Sequence, residues 1–540
     1  MLRRTCLVVA LAVMAACGAT PGPDVIFVNG KVFTSNAQAP WAEAVAIRGE
    51  RIVAVGDNAT ISASARGHTR RIDIGGRVLV PGFNDAHTHI DIAPPSDRID
   101  TPFDPTVAQI EDALRPLIKA TAAGRLVVGE FAERAWSDPG FNRSWLDAVA
   151  PDHPVWLTAF TGHGALLNSK ALTLARIGDT APRVGGGVFG VDANGRLNGR
   201  LEEYAQTLAN RRRAEATDAS EVTRLYRQYA ADARAFGITT TQLLGDVLPA
   251  AAAAEALVTA SAPMRWRYFR FPVSVDGETL DSKPPLPPQP SPLIDMRGMK
   301  WALDGTPIER LAFMRAPYAD APGQSGRLNL PVERIDQFVG WAYGSEDPLA
   351  VHAFGDAAIE AYIAAVERNG RAEVWRRKRP RIEHADMMAP DLIPRAKAVG
   401  MLVTQNPTHF TFPEIFLARY GKERVAWMQP MKSLLDAGIP LAIGSDGPMN
   451  PFLNIMAAVT HPVNPREALT REQAVIAYTA GSAFAEFKDH EKGQIAVGML
   501  ADLAVLSADV FSVPVTELEQ IRSVLTMLGG RVVHETGVVR

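Results

Sequence analysis

Cysteine is almost missing from this chain: of 540 residues only Cys6 and Cys17 carry a thiol, and both stand at the very start. The body of the protein therefore has no disulfide and no thiolate ligand, so any metal must be held by nitrogen and oxygen. Excess charge is missing too. The formal net charge is -3, becoming about -5 if Arg3 and Arg4 leave with a leader, so no basic field gathers phosphates and no nucleic acid partner is expected. There are no repeats, and the proline tract KPPLPPQPSP at 283–292 reads as a stiff loop rather than a polyproline ligand. With 47% hydrophobic residues the chain has enough apolar material for a large core and one appended unit.

The apolar run 7–16 follows Arg3 and Arg4 and ends at Cys17. It is too short to span a bilayer and reads as a signal peptide over 1–16. Met14-Ala15-Ala16-Cys17 resembles a bacterial lipobox, which implies a lipid anchor on Cys17 and a tether over 17–23. The expectation is a secreted lipoprotein on the periplasmic or outer face of a membrane; plain secretion with an incidental cysteine is the alternative.

From 24 to 78 short β runs alternate with turns (VIFVNGKVF, AVAIRGERIVAVG, RRIDIGG), and Asn29-Gly30 is a hairpin signal between antiparallel strands. The same style returns over 490–540 in GQIAVGMLADLAVLSAD and SVLTMLGGRVVHETG, which predicts a discontinuous β-sandwich made from both chain ends. Over 79–489 apolar strand-like runs alternate with helical stretches, the pattern of an α/β fold and specifically a (β/α)8 barrel. Eight strands are expected at 79–83, 237–244, 266–273, 299–303, 349–352, 381–384, 401–405 and 441–445. Residues 95–219 exceed any ordinary connection and predict an inserted lid.

The ends of those runs carry the chemistry. His87 and His89 are two apart, so on a strand they face the same way and can share one ion, with Asp85 placed to orient them. His352 and His384 follow on consecutive strands and suit a second ion; Glu383 is expected on the opposite face as a structural partner. Lys300 repels metals as a cation, but as a carbamate formed with carbon dioxide it offers two oxygens to bridge a metal pair; an ion pair with Asp304 is the alternative. Asp446 can ligate a metal and take a proton from attacking water, or simply cap the next segment.

PGFNDAHTH, GHGALLNS, GITTTQ, MKWALDGTPIER, VHAFGDAAI, RIEHAD, GSDGP and GQIAVGMLADLAVL together resemble the motif series of the amidohydrolase superfamily, in the branch similar to N-substituted formamide deformylases. The resemblance covers about 24–540. It implies a metal-dependent barrel with a flanking β-sandwich and metal ligands at His87, His89, Lys300, His352, His384 and Asp446, with Asp446 catalytic. The expected cofactor is a pair of divalent metal ions; zinc suits such N and O ligands, with manganese or iron as alternatives. The chain departs from the branch after Asp304-Gly305, where Thr306-Pro307-Ile308-Glu309-Arg310 replaces a serine-glycine-serine type loop. Arg310 is a candidate clamp for a substrate carboxylate, or else half of an ion pair; His163 and His409 are candidates to touch substrate or to hold structure. The expected activity is hydrolysis of a non-peptide C–N bond in a small N-acyl or N-formyl amide, with homo-oligomers open. A cyclic amide hydrolase or deaminase is the alternative on the same ligands, and a metal-free surface binding lipoprotein the alternative of another class.

Overall fold

The computed structural model describes residues 22–245 and 247–539; the leader over 1–16 and Cys17 lie outside the described residues. Eight parallel strands form the centre in the order of the chain: β1 (Phe83–Thr88), β2 (Ile238–Gly245), β3 (Arg265–Arg270), β4 (Met299–Ala302), β5 (Leu349–Ala353), β6 (Arg381–His384), β7 (Leu402–Gln405) and β8 (Leu441–Ile443). Nearly every strand residue is buried, as parallel strands covered on both faces require. The covering helices bury one stripe each. In Asp356–Arg368, for example, Ala358, Ile359, Tyr362, Ile363 and Val366 recur at helical spacing and pack into the main core. The result is a (β/α)8 barrel.

The barrel is closed at its mouth through loop residues rather than a strand ladder. The Ser445 N–H donates to Asp85 Oδ1 at 2.8 Å and the Asp446 N–H donates to the His87 carbonyl at 2.9 Å. Closure and candidate site are therefore built from the same residues.

The chain ends lie together in a six-stranded sheet, where Val78–Pro81 sits between Lys31–Phe33 and Leu503–Leu506. A second, four-stranded sheet packs on it through Phe27, Val45 and Ile72 against Leu79, Leu503 and Met527. Two expectations are corrected here. The run at 79–83 is not the first barrel strand: its apolar residues complete the end-to-end sheet, and the barrel begins at Phe83. Asn29-Gly30 is not a hairpin either. Val25–Val28 and Lys31–Phe33 belong to different sheets, and Val25–Val28 pairs in parallel with Arg70–Asp73, so the dipeptide, with Asn29 at φ 55°, carries the chain from one sheet to the other.

Between β1 and β2 a second six-stranded sheet runs from Ser96–Arg98 to Leu197–Glu203. This inserted unit meets the barrel mouth through stacked Phe103 and Phe412, 4.3 Å between ring centres, and through Glu133, which pairs with Arg310 of a barrel loop and Arg419 of the helix Pro413–Val425. Among the described residues no helix is long and apolar enough to cross a membrane.

Candidate active site

His87 is turned into the barrel by an irregularity in β1. Between the Thr241–Asp85 and Leu243–Thr88 pairs, β1 has two residues where β2 has one, and such a bulge resets the alternation of side chains. His89 follows just past the strand. The Nε2 atoms of His87 and His89 lie 3.3 Å apart, and Asp446 Oδ1 is 3.6 Å from each. Two nitrogens on one tetrahedral ion at about 2.05 Å stand about 3.3 Å apart, so the donor set fits a divalent cation.

His384 joins the cluster from the end of β6. Its Nδ1 lies 2.9 Å from Asn406 Oδ1, and because the Asn406 amide donates to the Gly444 carbonyl, that oxygen faces the histidine. His384 Nδ1 is therefore the protonated nitrogen, and Nε2 keeps its lone pair. His87, His384 and Asp446 offer ligand atoms all within 4.8 Å of one another. His352, on β5, packs its ring 4.5 Å from that of His384.

Burial holds the imidazoles of His87, His352 and His384 well below their ordinary pKa, and for all three the nearby Lys300 cation adds to the effect. They are neutral, the form that binds metals. Lys300 itself is buried on β4. The Asp304 carboxyl accepts the backbone N–H groups of Phe313, Phe354 and Gly355. Burial pushes the Asp446 carboxyl up, yet the surrounding histidines outweigh it, and with His87 and His384 neutral it is the hydrogen bond from His409 that holds the group below the usual carboxylate range.

One expectation about this cluster is overturned. Glu383 does not face away: its Oε2 lies 2.6 Å from His87 Nδ1 inside the barrel. His384 and Ala385 have φ of 69° and 50°, so the chain leaves extended geometry at the end of β6 and successive residues no longer point to opposite faces. Glu383 and His384 both reach the centre. Asp85 also differs from a direct orienting partner, since its Oδ1 accepts backbone N–H groups of His87 and Ser445; burial raises its pKa to about 6.

Around this cluster, His409 bridges Asp386 at 3.3 Å and Asp446 at 3.4 Å. Burial opposes its charge, but the two carboxylates raise its pKa to about 10. His163 comes from the inserted unit, its ring 4.8 Å from that of His352, and its Nδ1 is 3.0 Å from Glu203. Here too burial is outweighed, chiefly by Glu203, and the pKa rises to about 9. Glu203 is held at φ 56° and ψ -127°, an uncommon conformation for a residue with a side chain. Arg310 is paired with Asp320 at 2.9 Å and Glu133 at 3.1 Å, so its guanidinium ties the inserted unit to the barrel loops. Glu383, Arg381, Asn406, Asp386 and Glu203 orient the site; the sequence offers Glu383 as a structural partner, on the other face, and gives Arg381, Asn406 and Asp386 no part. Only adjacency offered a signal, in Arg381 and Glu383 of RIEHAD.

The family model of the amidohydrolase family matches residues 70–534. Among curated proteins the chain is 29% identical to "Protein LONG AFTER FAR-RED 3" of Arabidopsis thaliana, covering 90% of this chain and 87% of that one. It is 26% identical to the N-substituted formamide deformylase of Arthrobacter pascens, covering 95% and 98%. Among solved structures, an uncharacterized metal-dependent hydrolase from Pyrococcus horikoshii shares the fold with a TM-score of 0.69 and 20% identity, covering 91% of this chain and 99% of that one. With its barrel, its imidazole and carboxylate cluster and a family match over most of its length, this chain belongs to the amidohydrolase family and is a metal-dependent hydrolytic enzyme.

Proposed function

We propose that the enzyme hydrolyses the C–N bond of a small N-acyl or N-formyl amide, and that His87, His89, His352, His384 and Asp446 would hold divalent metal, with Lys300, as a carbamate, supplying further oxygen ligands. The observation that carries this reading is the convergence of His87 Nε2, His89 Nε2 and Asp446 Oδ1 within 3.3 to 3.6 Å. Divalent metal bound there supplies Lewis acidity toward a carbonyl oxygen and acidifies water. Asp446 then acts as the proton carrier, accepting from the attacking water and passing the proton to the departing nitrogen. His409, hydrogen-bonded to Asp446, holds that carboxylate ionised and in place. His163, fixed by Glu203, presents its remaining ring nitrogen from the inserted unit toward substrate.

Carboxylation resolves a charge conflict. A lysine ammonium among three neutral imidazoles and a metal pair is repelled, whereas its carbamate carries the opposite sign. The similarity to a formamide deformylase over nearly the whole chain supports the amide reading, and zinc suits the ligands. We also place the enzyme at the periplasmic or outer face of a bacterial membrane, anchored through Cys17.

The test is a hydrolysis screen of N-formyl amines, N-acyl amino acids and cyclic imides with zinc- or manganese-loaded protein, with metal content measured on the same sample. Turnover of the first two classes is expected. Activity confined to cyclic imides moves the reading to a cyclic amide hydrolase, and protein that binds no metal after reconstitution overturns it.

A further inference from the structure

The barrel interior below the site is polar, where branched aliphatic side chains are usual. A continuous line of buried groups crosses it. Lys492 Nζ lies 2.7 Å from Glu486 Oε1 and donates to Thr240 Oγ1 at 2.7 Å. Asn84 Nδ2 donates to the same Glu486 oxygen at 2.6 Å. Gln242 Nε2 donates to Asn84 Oδ1 at 3.2 Å, and Arg381 Nη1 donates to Gln242 Oε1 at 2.5 Å. Arg381 Nη2 donates at 2.9 Å to Glu383 Oε2, which faces His87 Nδ1 at 2.6 Å. Asn84, Gln242, Arg381, Glu383, Glu486 and Lys492 are all at most 5% exposed.

The order of donors and acceptors in this line cannot be reversed. Arginine and lysine only donate and an ionised carboxylate only accepts. Arg381 therefore forces the oxygen of the Gln242 amide toward itself, which turns the Gln242 nitrogen to Asn84 and the Asn84 nitrogen to Glu486. At the upper end Glu383 can only accept, so the proton it meets on His87 sits on Nδ1. The same Arg381 guanidinium also donates to the carbonyl of Ala86, inside the irregular stretch of β1 that turns His87 inward.

We propose that Glu383 is a positioning residue for the metal centre: it fixes His87 as the Nδ1–H tautomer and commits the Nε2 lone pair to the cluster with His89 and Asp446, while the column from Arg381 down to Lys492 holds the Glu383 side chain in place. This rests on the metal-binding reading of the cluster and adds the part of the fold that sets its geometry. Carboxylates behind a ligand histidine fix ring orientation and raise ligand basicity, and their loss weakens metal binding about 10- to 100-fold. Asn406 plays the corresponding part behind His384 with a neutral oxygen. Of the two, only Glu383 is charged and tied to a line of buried charges.

The experiment uses full-length protein stripped of metal and titrated with zinc against a chromophoric chelator, comparing wild type with Glu383→Gln and, at a distance, Gln242→Leu. Glu383→Gln should weaken zinc binding by about 10- to 100-fold, and Gln242→Leu by a smaller factor in the same direction. In parallel, long-range nitrogen–proton spectra of histidine-labelled, zinc-loaded wild type should show His87 protonated at Nδ1 and coordinated through Nε2. That spectrum needs no variant, so the proposal stays exposed even if Glu383→Gln fails to fold. Zinc affinity in Glu383→Gln equal to wild type, or coordination of His87 through Nδ1, overturns the positioning role and leaves the metal reading standing. Wild-type protein that binds no zinc overturns the metal reading itself.

Discussion

Gly444 stands where β8 hands the chain to Asp446, and a methyl group there should dismantle the site. A Cβ at this position would lie 2.3 Å from the His87 nitrogen and 2.5 Å from the His87 Cβ. Ordinary contacts begin near about 3.5 Å, so β8 and β1 must part by about 1 Å, and the obstacle is largely backbone that no rotamer change can clear. Overpacking of this kind costs about 1–3 kcal/mol. The functional loss should be larger than the stability loss, because Asp446 and His87 ride on the two strands forced apart and a 1 Å misplacement costs about a hundredfold in rate. Gly447 is the internal control: its Cβ would come no closer than 3.6 Å to the Ser445 carbonyl oxygen, so Gly447→Ala should stay within about 0.5 kcal/mol of wild type. The assays are urea unfolding midpoints and zinc titration on all three proteins. A Gly444→Ala protein with wild-type midpoint and wild-type zinc affinity would show that the mouth is not closed through Gly444 against His87, and would refute the reasoning.

The other expectations are simpler to state. Asp446→Asn should bind substrate yet lose more than about a hundredfold in turnover, the usual size of a general-base contribution; a variant that keeps its metal and a tenth of its activity removes Asp446 as proton carrier. Lys300→Ala should lose metal and activity, with partial recovery in acetate or propionate, and bicarbonate should speed metal loading of stripped wild type; two metals and normal turnover in Lys300→Ala would make the lysine structural, with Glu203 and Glu202 the next residues to examine as bridging ligands. Cys17→Ser should move the protein from the detergent-extracted membrane fraction to the soluble fraction of its host, and equal partition of both forms rules out the lipid anchor.

Residues at the ends of barrel strands were legible because they follow apolar runs at regular spacing: His352 and His384 lie on consecutive strands, His384 sits with His87 and Asp446 in one cluster, and His352 packs its ring against His384. What the sequence did not disclose depends on departures from regular geometry. Glu383 was misplaced because alternation is a rule for extended backbone, and β6 ends in two residues at positive φ. The hairpin at Asn29-Gly30 failed because a positive-φ turn bends the chain without saying which strand the next one will join. The run 79–83 reads as a barrel strand because an interior strand of the end-to-end sheet and a buried barrel strand share one apolar pattern. The Arg310 partners, Glu133 and Asp320, lie 177 and 10 residues away, and no local signal reports a pairing across an inserted unit.

The sheet that joins both chain ends separates the order of synthesis from the order of assembly. Val78–Pro81 is made early, yet its neighbour Leu503–Leu506 leaves the ribosome only after the entire barrel. At about 5–20 residues per second the early strand waits about 20–80 s with one edge open, presenting Leu79 and Val80 to whatever else is present. A chaperone or export factor that holds the nascent chain must therefore shield this edge until translation is nearly done. A nonsense mutation just before Leu503 would accordingly do more than trim a tail: it would leave that strand permanently unpaired and make the truncated enzyme a seed for aggregation.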